Sequence, residues 1–327
     1  MAGSEHWGLP TRCVAAILLF ALAAPAWAQA YPSRPIRLVL PFAAGGLVDV
    51  PGRIIAHRLA QALGQPVVVE NKPGAGSTIG ADSVAKAKPD GYTLMITSTT
   101  HVISANLYRS LPYDALRDFT AVMKIAEGPY VLVVHPGVAA RTVVELVAAA
   151  KLEPGRIDYA SSGNGSSQHL VAALFCALSG APLNHVPYKG SDRAMQDILG
   201  GRVAVGFVGT PNALPHLRSG RLRALAVSTA RRSPELPAVP TLHEAGVPGY
   251  EATIWMGLFA PAGLPREIVA RLHGEIGRVL QAPEARATIA ATGVGVSLAP
   301  PEAFAAFVRA EHAKWGKVVR DTGATVN

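Results

Sequence analysis

The sequence predicts an α/β protein built on doubly wound sheets. Three observations carry that expectation. Short apolar runs alternate with longer amphipathic stretches along most of the chain. Turns rich in Gly or hydroxyl residues repeatedly join a run to the stretch after it. The same plan of strand, Gly turn and helix recurs in the second half, as two domains would require. A chain of 327 residues, 50% of them hydrophobic, can supply two such cores.

Residues 36–41 (IRLVLP) are a continuous apolar run suited to a buried parallel strand. The turn at 42–48 (FAAGGLV) leads into a helix that runs to about Leu63 and stops at Gly64. Residues 67–70 are the next strand. The turn Asn71-Lys72-Pro73-Gly74-Ala75-Gly76 follows, and Ser77 can cap a helix reaching about Lys86. Pro89-Asp90-Gly91 turns the chain into a strand at 92–97. Residues 131–134 form a strand ending at His135-Pro136. Residues 142–151 form a helix with Val143, Leu146, Val147 and Ala150 on one face. A strand at 157–161 passes through Gly163-Asn164-Gly165 into a helix opened by Ser166 and Ser167. Strands at 203–208 and 222–228 come next, and Phe259-Ala260-Pro261 ends another. The stretches 267–281 and 302–319 are amphipathic helices with ordinary core faces.

Residues 1–28 read as targeting sequence. Arg12 precedes an apolar stretch that is short for a membrane span, and Ala26-Trp27-Ala28 is a small-residue cleavage site, as in a secretory signal peptide. The expected mature protein is exported and soluble. It keeps Cys176 as its single cysteine, so no internal disulfide is expected, and Cys176 reads as a small core hydrophobe. Removing Glu5 and Arg12 together leaves the formal charge of +8 unchanged. The basic residues are scattered rather than striped among aromatics, which argues against nucleic-acid binding and suits acidic small molecules.

Chemistry concentrates in the turns after strands, where ligands of open α/β sheets bind. Gly45 and Gly46 follow the first strand, Gly74 to Ser77 the second, and Ser98, Thr99, Thr100 and His101 the third. Gly163, Asn164, Gly165, Ser166 and Ser167 open the helix of the second half. A helix entered this way presents unpaired N–H groups at the positive end of its dipole, an anion seat. Neither Gly163-Asn164-Gly165 nor Gly74-Ala75-Gly76-Ser77-Thr78-Ile79-Gly80 has the spacing of a dinucleotide fingerprint, and there is no P-loop. The isolated His101, His135 and His185 lack metal-ligand spacing. No cofactor and no metal are expected. Ser166 or Ser167 with His169 could form an exported serine hydrolase, the rival reading, although residues two or three apart at a helix start face one another poorly and no G-x-S-x-G elbow is present. Asp49 suits a ligand contact, or a cap with Pro51 in the first turn.

These residues resemble a known family. Phe42-Ala43-Ala44-Gly45-Gly46 with Asp49 and Arg53, the run from Glu70 to Gly76, Ser161 to His169, and His185-Val186-Pro187-Tyr188-Lys189-Gly190 match its signatures. The segments 258–263, 305–307 and 314–319 match its C-terminal part. The family is the periplasmic solute-binding receptors of tripartite tricarboxylate transporters, or Bug proteins. The resemblance implies a type II periplasmic binding-protein fold with two domains, 29–130 plus 255–327 and 131–254, and a ligand cleft between them. It implies a monomeric, non-catalytic receptor that closes on a small organic carboxylate and delivers it to membrane transport subunits, with a sensor role as the other outlet. The contacts it assigns are Phe42, Ala44, Gly45, Gly46, Leu47, Val48 and Asp49 from one side. Ser161, Gly163, Asn164, Gly165, Ser166, Ser167, His169 and Tyr188 come from the other, with Ser98, Thr99 and Thr100 contributing. Leu47 and Val48 replace small or hydroxyl residues of relatives, and Val208 stands where many carry Asp or Asn. The expected ligand is therefore a non-amino carboxylate, aromatic or dicarboxylate among the options, in an unusually apolar pocket.

Overall fold

The computed structural model describes Gly3 and residues 31–325, so the expected signal peptide, 1–28, lies outside the described residues apart from Gly3. The strands form one continuous sheet with two sets of neighbours. In the first set β1 (Ile36–Leu40) lies between β2 (Val67–Asn71) and β3 (Thr93–Ser98), parallel to both. β3 pairs antiparallel with β9 (Thr253–Pro261), and β9 pairs antiparallel with β4 (Phe119–Val134). In the second set β5 (Asp158–Ser161) lies between β6 (Asn184–Pro187) and β7 (Val205–Gly209), again parallel to both. β7 pairs antiparallel with the end of β4, which also carries β8 (Arg223–Val227). Both sets repeat one order: second strand, first, third, then an antiparallel strand, which is β9 in the first set and, in the second, the tail of β4, a strand that belongs mainly to the first.

That inserted strand was only partly legible. The strand expected at 131–134 is the tail of β4, which is 16 residues long. Lys124, Glu127, Gly128 and Pro129 break its apolar pattern, and two register irregularities bend it along β9. Its ladder with β9 supplies the pairing that local propensity does not.

The helices α1 (Asp49–Leu63), α2 (Thr78–Ala85) and α3 (Thr100–Leu107) follow β1, β2 and β3. α4 (Val143–Leu152) begins at Thr142, whose hydroxyl accepts the Glu145 N–H, a side-chain cap. α5 (Ser167–Ser179) follows β5, and Ser166 caps it through the His169 N–H. α6 (Ser191–Leu199) and α7 (Thr210–Arg218) cover the second set; α7 holds Pro215 internally, which hid it from sequence patterning. α8 (Arg266–Gln281), α9 (Pro283–Ala291), β10 (Gly295–Ala299) and α10 (Pro301–Thr322) complete the first. Among the described residues no helix is long and apolar enough to cross a membrane.

α10 packs on α3, β4 and α5, so it braces both strand sets. Its Glu311 is buried and accepts the indole N–H groups of Trp255 on β9 and Trp315 on α10, each at 3.0 Å, while Lys314 neutralises it. Trp255, Phe259 and Phe304 are fully buried around this point, each stabilising by roughly 1.5–3 kcal/mol. Gly257 allows the approach: a Cβ there would lie 2.0 Å from the Phe304 ring.

Candidate functional site

A cleft of about 400 Å³ opens beyond the carboxyl ends of β1, β2 and β3, facing the turn between β5 and α5. Pro41, Phe42 and Ala43 line it from the β1 turn, and Pro73, Gly74, Gly76 and Ser77 from the β2 turn. α3 contributes Thr100 and Ser104, Tyr108 follows at its end, and the β5 turn contributes Ser162, Asn164, Gly165, Ser166 and Ser167. None of these side chains is ionisable within the carboxylate or cationic range, so any charge a ligand brings must be met by backbone dipoles and hydroxyls.

The β5 turn is held mainly from within. Ser162 N–H donates to Gln168 Oε1 at 2.9 Å, Gly163 N–H to Ser161 Oγ at 3.1 Å, and Gly165 N–H to His169 Nδ1 at 3.1 Å. The glycine N–H groups expected to point at an anion are thus engaged inside the turn. Helix geometry leaves the N–H groups of Ser167 and Gln168 without intrahelical acceptors, and these form the donor end of α5. Gly163 and Gly165 stand at φ 131° and 72°, which a side chain would strain.

The β2 turn is unusual in its backbone. Gly74, Ala75, Gly76 and Ser77 all have positive φ, at 127°, 45°, 61° and 75°. Positive φ at Ala and Ser is strained, and such strain gathers where a loop is over-determined by its surroundings. Ser77 occupies the cap position of α2 yet makes no side-chain cap bond. Ser104 Oγ donates to Gly76 O at 2.7 Å and so pins the turn against α3.

The β1 turn is braced by Asp49. Its carboxylate accepts Gly45 N–H at 2.8 Å, Arg53 Nε at 2.9 Å and Asn71 Nδ2 at 2.8 Å. Burial alone would raise this carboxyl, but the Arg53, Gly45 and Asn71 hydrogen bonds outweigh it and bring it down to about 2. Asp49 therefore organises the loop from behind rather than facing the cleft.

Six of the residues proposed from sequence line the cleft: Phe42, Thr100, Asn164, Gly165, Ser166 and Ser167. Ala44, Gly45 and Gly46 are exposed beside it. Val48 is buried in the core and Leu47 packs against that core, so neither greases the cleft as expected. Val208 is buried in the smaller core of the second set. Ser98 is buried and bonds Thr100. Thr99, also buried, accepts the Trp255 N–H and donates to Thr253 O, tying α3 to β9. Ser161 is buried against His185, and Tyr188 donates to Asp197 at 2.7 Å. The serine–histidine pairing of the hydrolase reading is not formed: Ser166 Oγ takes the His169 backbone N–H, while the His169 ring takes Gly165. Sequence reasoning missed Ser104 and Tyr108. Thr100 and Ser104 stand four apart on one face of α3, and Tyr108 follows directly after its last residue, a spacing of hydroxyls that could have revealed them once α3 was recognised. The β2 turn was noticed as Gly-rich but not carried into the residue set.

Comparison with known proteins fits this geometry. Residues 52–324 match the family described as "Tripartite tricarboxylate transporter family receptor". The chain belongs to that family. It is 40% identical over 320 residues to protein BugT of Bordetella pertussis, covering 96% of this chain and 98% of the relative. An R. palustris protein solved with adipate superposes with a TM-score of 0.78 at 37% identity, covering 90% and 99% of the two chains. MatC from Rhodopseudomonas palustris with bound malate gives 0.75 at 33% identity, covering 88% and 100%. The architecture of this Bug-type receptor is the type II periplasmic binding-protein fold, and the repeated strand order described above is its signature in this chain.

Proposed function

We propose that this receptor captures a small non-amino carboxylate, with dicarboxylates as the preferred class, and passes it to membrane transport subunits. The carrying observation is the lining of the cleft: hydroxyls, backbone and the starts of α3 and α5, with no acidic side chain to hold an ammonium. Each helix-start contact contributes roughly 0.3–2 kcal/mol to anion binding. The two starts together supply up to about 4 kcal/mol, half of the roughly 8 kcal/mol of a micromolar complex, and the hydroxyl contacts supply the rest. The adipate and malate bound by the two neighbours support the acid class.

A diacid fits the two walls. One carboxylate meets Ser166, Ser167 and the start of α5, and the other meets Ser77 and Tyr108, with Ser104 holding the β2 turn beside them through Gly76 O. The Tyr108 hydroxyl is used by no protein group among the described residues. In this reading the lobes are 29–130 plus 255–327 and 131–254. They close by bending β4 near 131–134 and the strand that contains 254–259, and the protein works as an exported, periplasmic monomer. Calorimetry with adipate, malate, benzoate and glutamate tests the proposal. Adipate or malate binds tightest, and tighter binding of glutamate overturns the non-amino assignment.

A further inference from the structure

Three stacked rings stand behind the β5 turn. The Tyr159 ring on β5 lies 4.9 Å from that of His185 on β6 at 18°, and the His185 ring lies 3.9 Å from that of His169 on α5 at 11°. None of the three lines the cleft. The imidazole nitrogens instead reach the two ends of the turn. His185 Nε2 bonds Ser161 Oγ at 2.7 Å, and the same hydroxyl bonds the Gly163 N–H and carbonyl, both at 3.1 Å. His169 Nδ1 accepts the Gly165 N–H at 3.1 Å. Asn164 is therefore suspended between two imidazole anchors, and Ser166 follows directly after the second.

We propose that His169 and His185 are positioning residues: as a stacked pair they hold the β5 turn in its ligand-ready shape, and they do so only while both rings are uncharged. This rests on the carboxylate reading of the cleft. The physical reason is the direction of the hydrogen bonds. A proton on His169 Nδ1 would turn its acceptor into a donor aimed at the Gly165 N–H, and two donors 3.1 Å apart must separate. A second proton on His185 would set like charges in rings 3.9 Å apart. Burial lowers both histidines, and the neighbouring His169 lowers His185 further, to about 4.

Few charges surround the pair. Tyr159 faces His185 from β5, and Cys176 of α5 lies beside Tyr159; burial raises both of these acids, so they stay neutral. Tyr188, beyond β6, is engaged with Asp197, which also holds Arg202. Among the described residues no carboxylate is bonded to either imidazole. Nothing there favours an imidazolium. A charge behind the turn would by itself attract a carboxylate, so the sign of the pH effect separates the roles. An imidazolium contact tightens binding on acidification, and a positioning pair loosens it.

The test uses the mature receptor with adipate as probe. At pH 7.5 His169→Asn, whose carboxamide oxygen can replace the Nδ1 acceptor, keeps adipate affinity within about 3-fold, while His169→Leu loses about 10-fold or more, the equivalent of one lost hydrogen bond. Between pH 7.5 and 4 the wild type loses roughly 3-fold more affinity than His169→Asn, a comparison in which the titration of adipate itself cancels. In the ligand-free protein the Gly165 amide resonance follows the His169 titration in wild type and is flat in His169→Asn. Equal affinity of the Asn and Leu variants, tighter relative binding by wild type at acid pH, or a Gly165 amide indifferent to His169 overturns the proposal. If wild type takes up none of the acids at pH 7.5, the carboxylate reading falls, while the Gly165 titration still decides the positioning role.

Discussion

Ser228 and Tyr130 clasp each other where the chain crosses between the two strand sets. The Tyr130 N–H donates to Ser228 Oγ at 2.8 Å, and the Ser228 N–H donates to Tyr130 O at 2.9 Å. Ser228 Oγ passes its own proton to Ala252 O at 2.6 Å, and Ala252 N–H returns to Ser228 O at 2.8 Å. One fully buried serine thereby joins the end of β4 to the approach to β9, the two crossings. Ser228→Ala leaves the Tyr130 N–H and a bond to Ala252 O unmade in a buried place. It lowers unfolding free energy by about 2 kcal/mol, read from urea denaturation.

Tyr108→Phe removes a hydroxyl from the α3 wall of the cleft without changing its shape. On the proposed reading adipate affinity falls about 5- to 10-fold, near one hydrogen bond, while benzoate affinity changes little. Calorimetry on both acids checks it, and equal losses for the two would remove the second carboxylate contact from the reading.

His101 makes stability depend on pH. Its ring is buried among Tyr113, Phe119 and Phe259, with Nε2 on Ala115 O at 3.0 Å and Nδ1 unpartnered. Burial lowers it to about 4, against the opposing pull of the Ala115 bond. The unfolded chain therefore takes up a proton that the folded one refuses. The stability term is fully present above the ordinary histidine value and is lost as pH falls towards 4, reaching about 3 kcal/mol there. Urea midpoints at pH 7 and pH 4 should differ by more in wild type than in His101→Gln.

Glu311 serves two indoles from one buried carboxylate. Glu311→Ala strands both N–H donors and the Lys314 charge, and it costs about 3–5 kcal/mol. Glu311→Gln keeps an acceptor and costs less. Thermal unfolding of both variants measures the difference, and equal losses would mean that packing rather than hydrogen bonding holds α10 on β9.

What sequence alone could determine was local. The β1 to α1 unit, the Thr142 and Ser166 caps, the glycines that take positive φ and the family all follow from residues a few positions apart, because turns and caps are made by near neighbours. Which side of each loop meets the ligand was not local. Val48, Asp49 and Val208 looked like cleft residues and are buried, whereas Ser104 and Tyr108 fall in a stretch that local patterning left unassigned and line the cleft. The length of β4 and the stacking of His169 on His185 were equally hidden. These depend on strand register and helix packing between distant segments, where pairing and burial override local preference, and only the tertiary structure decides them.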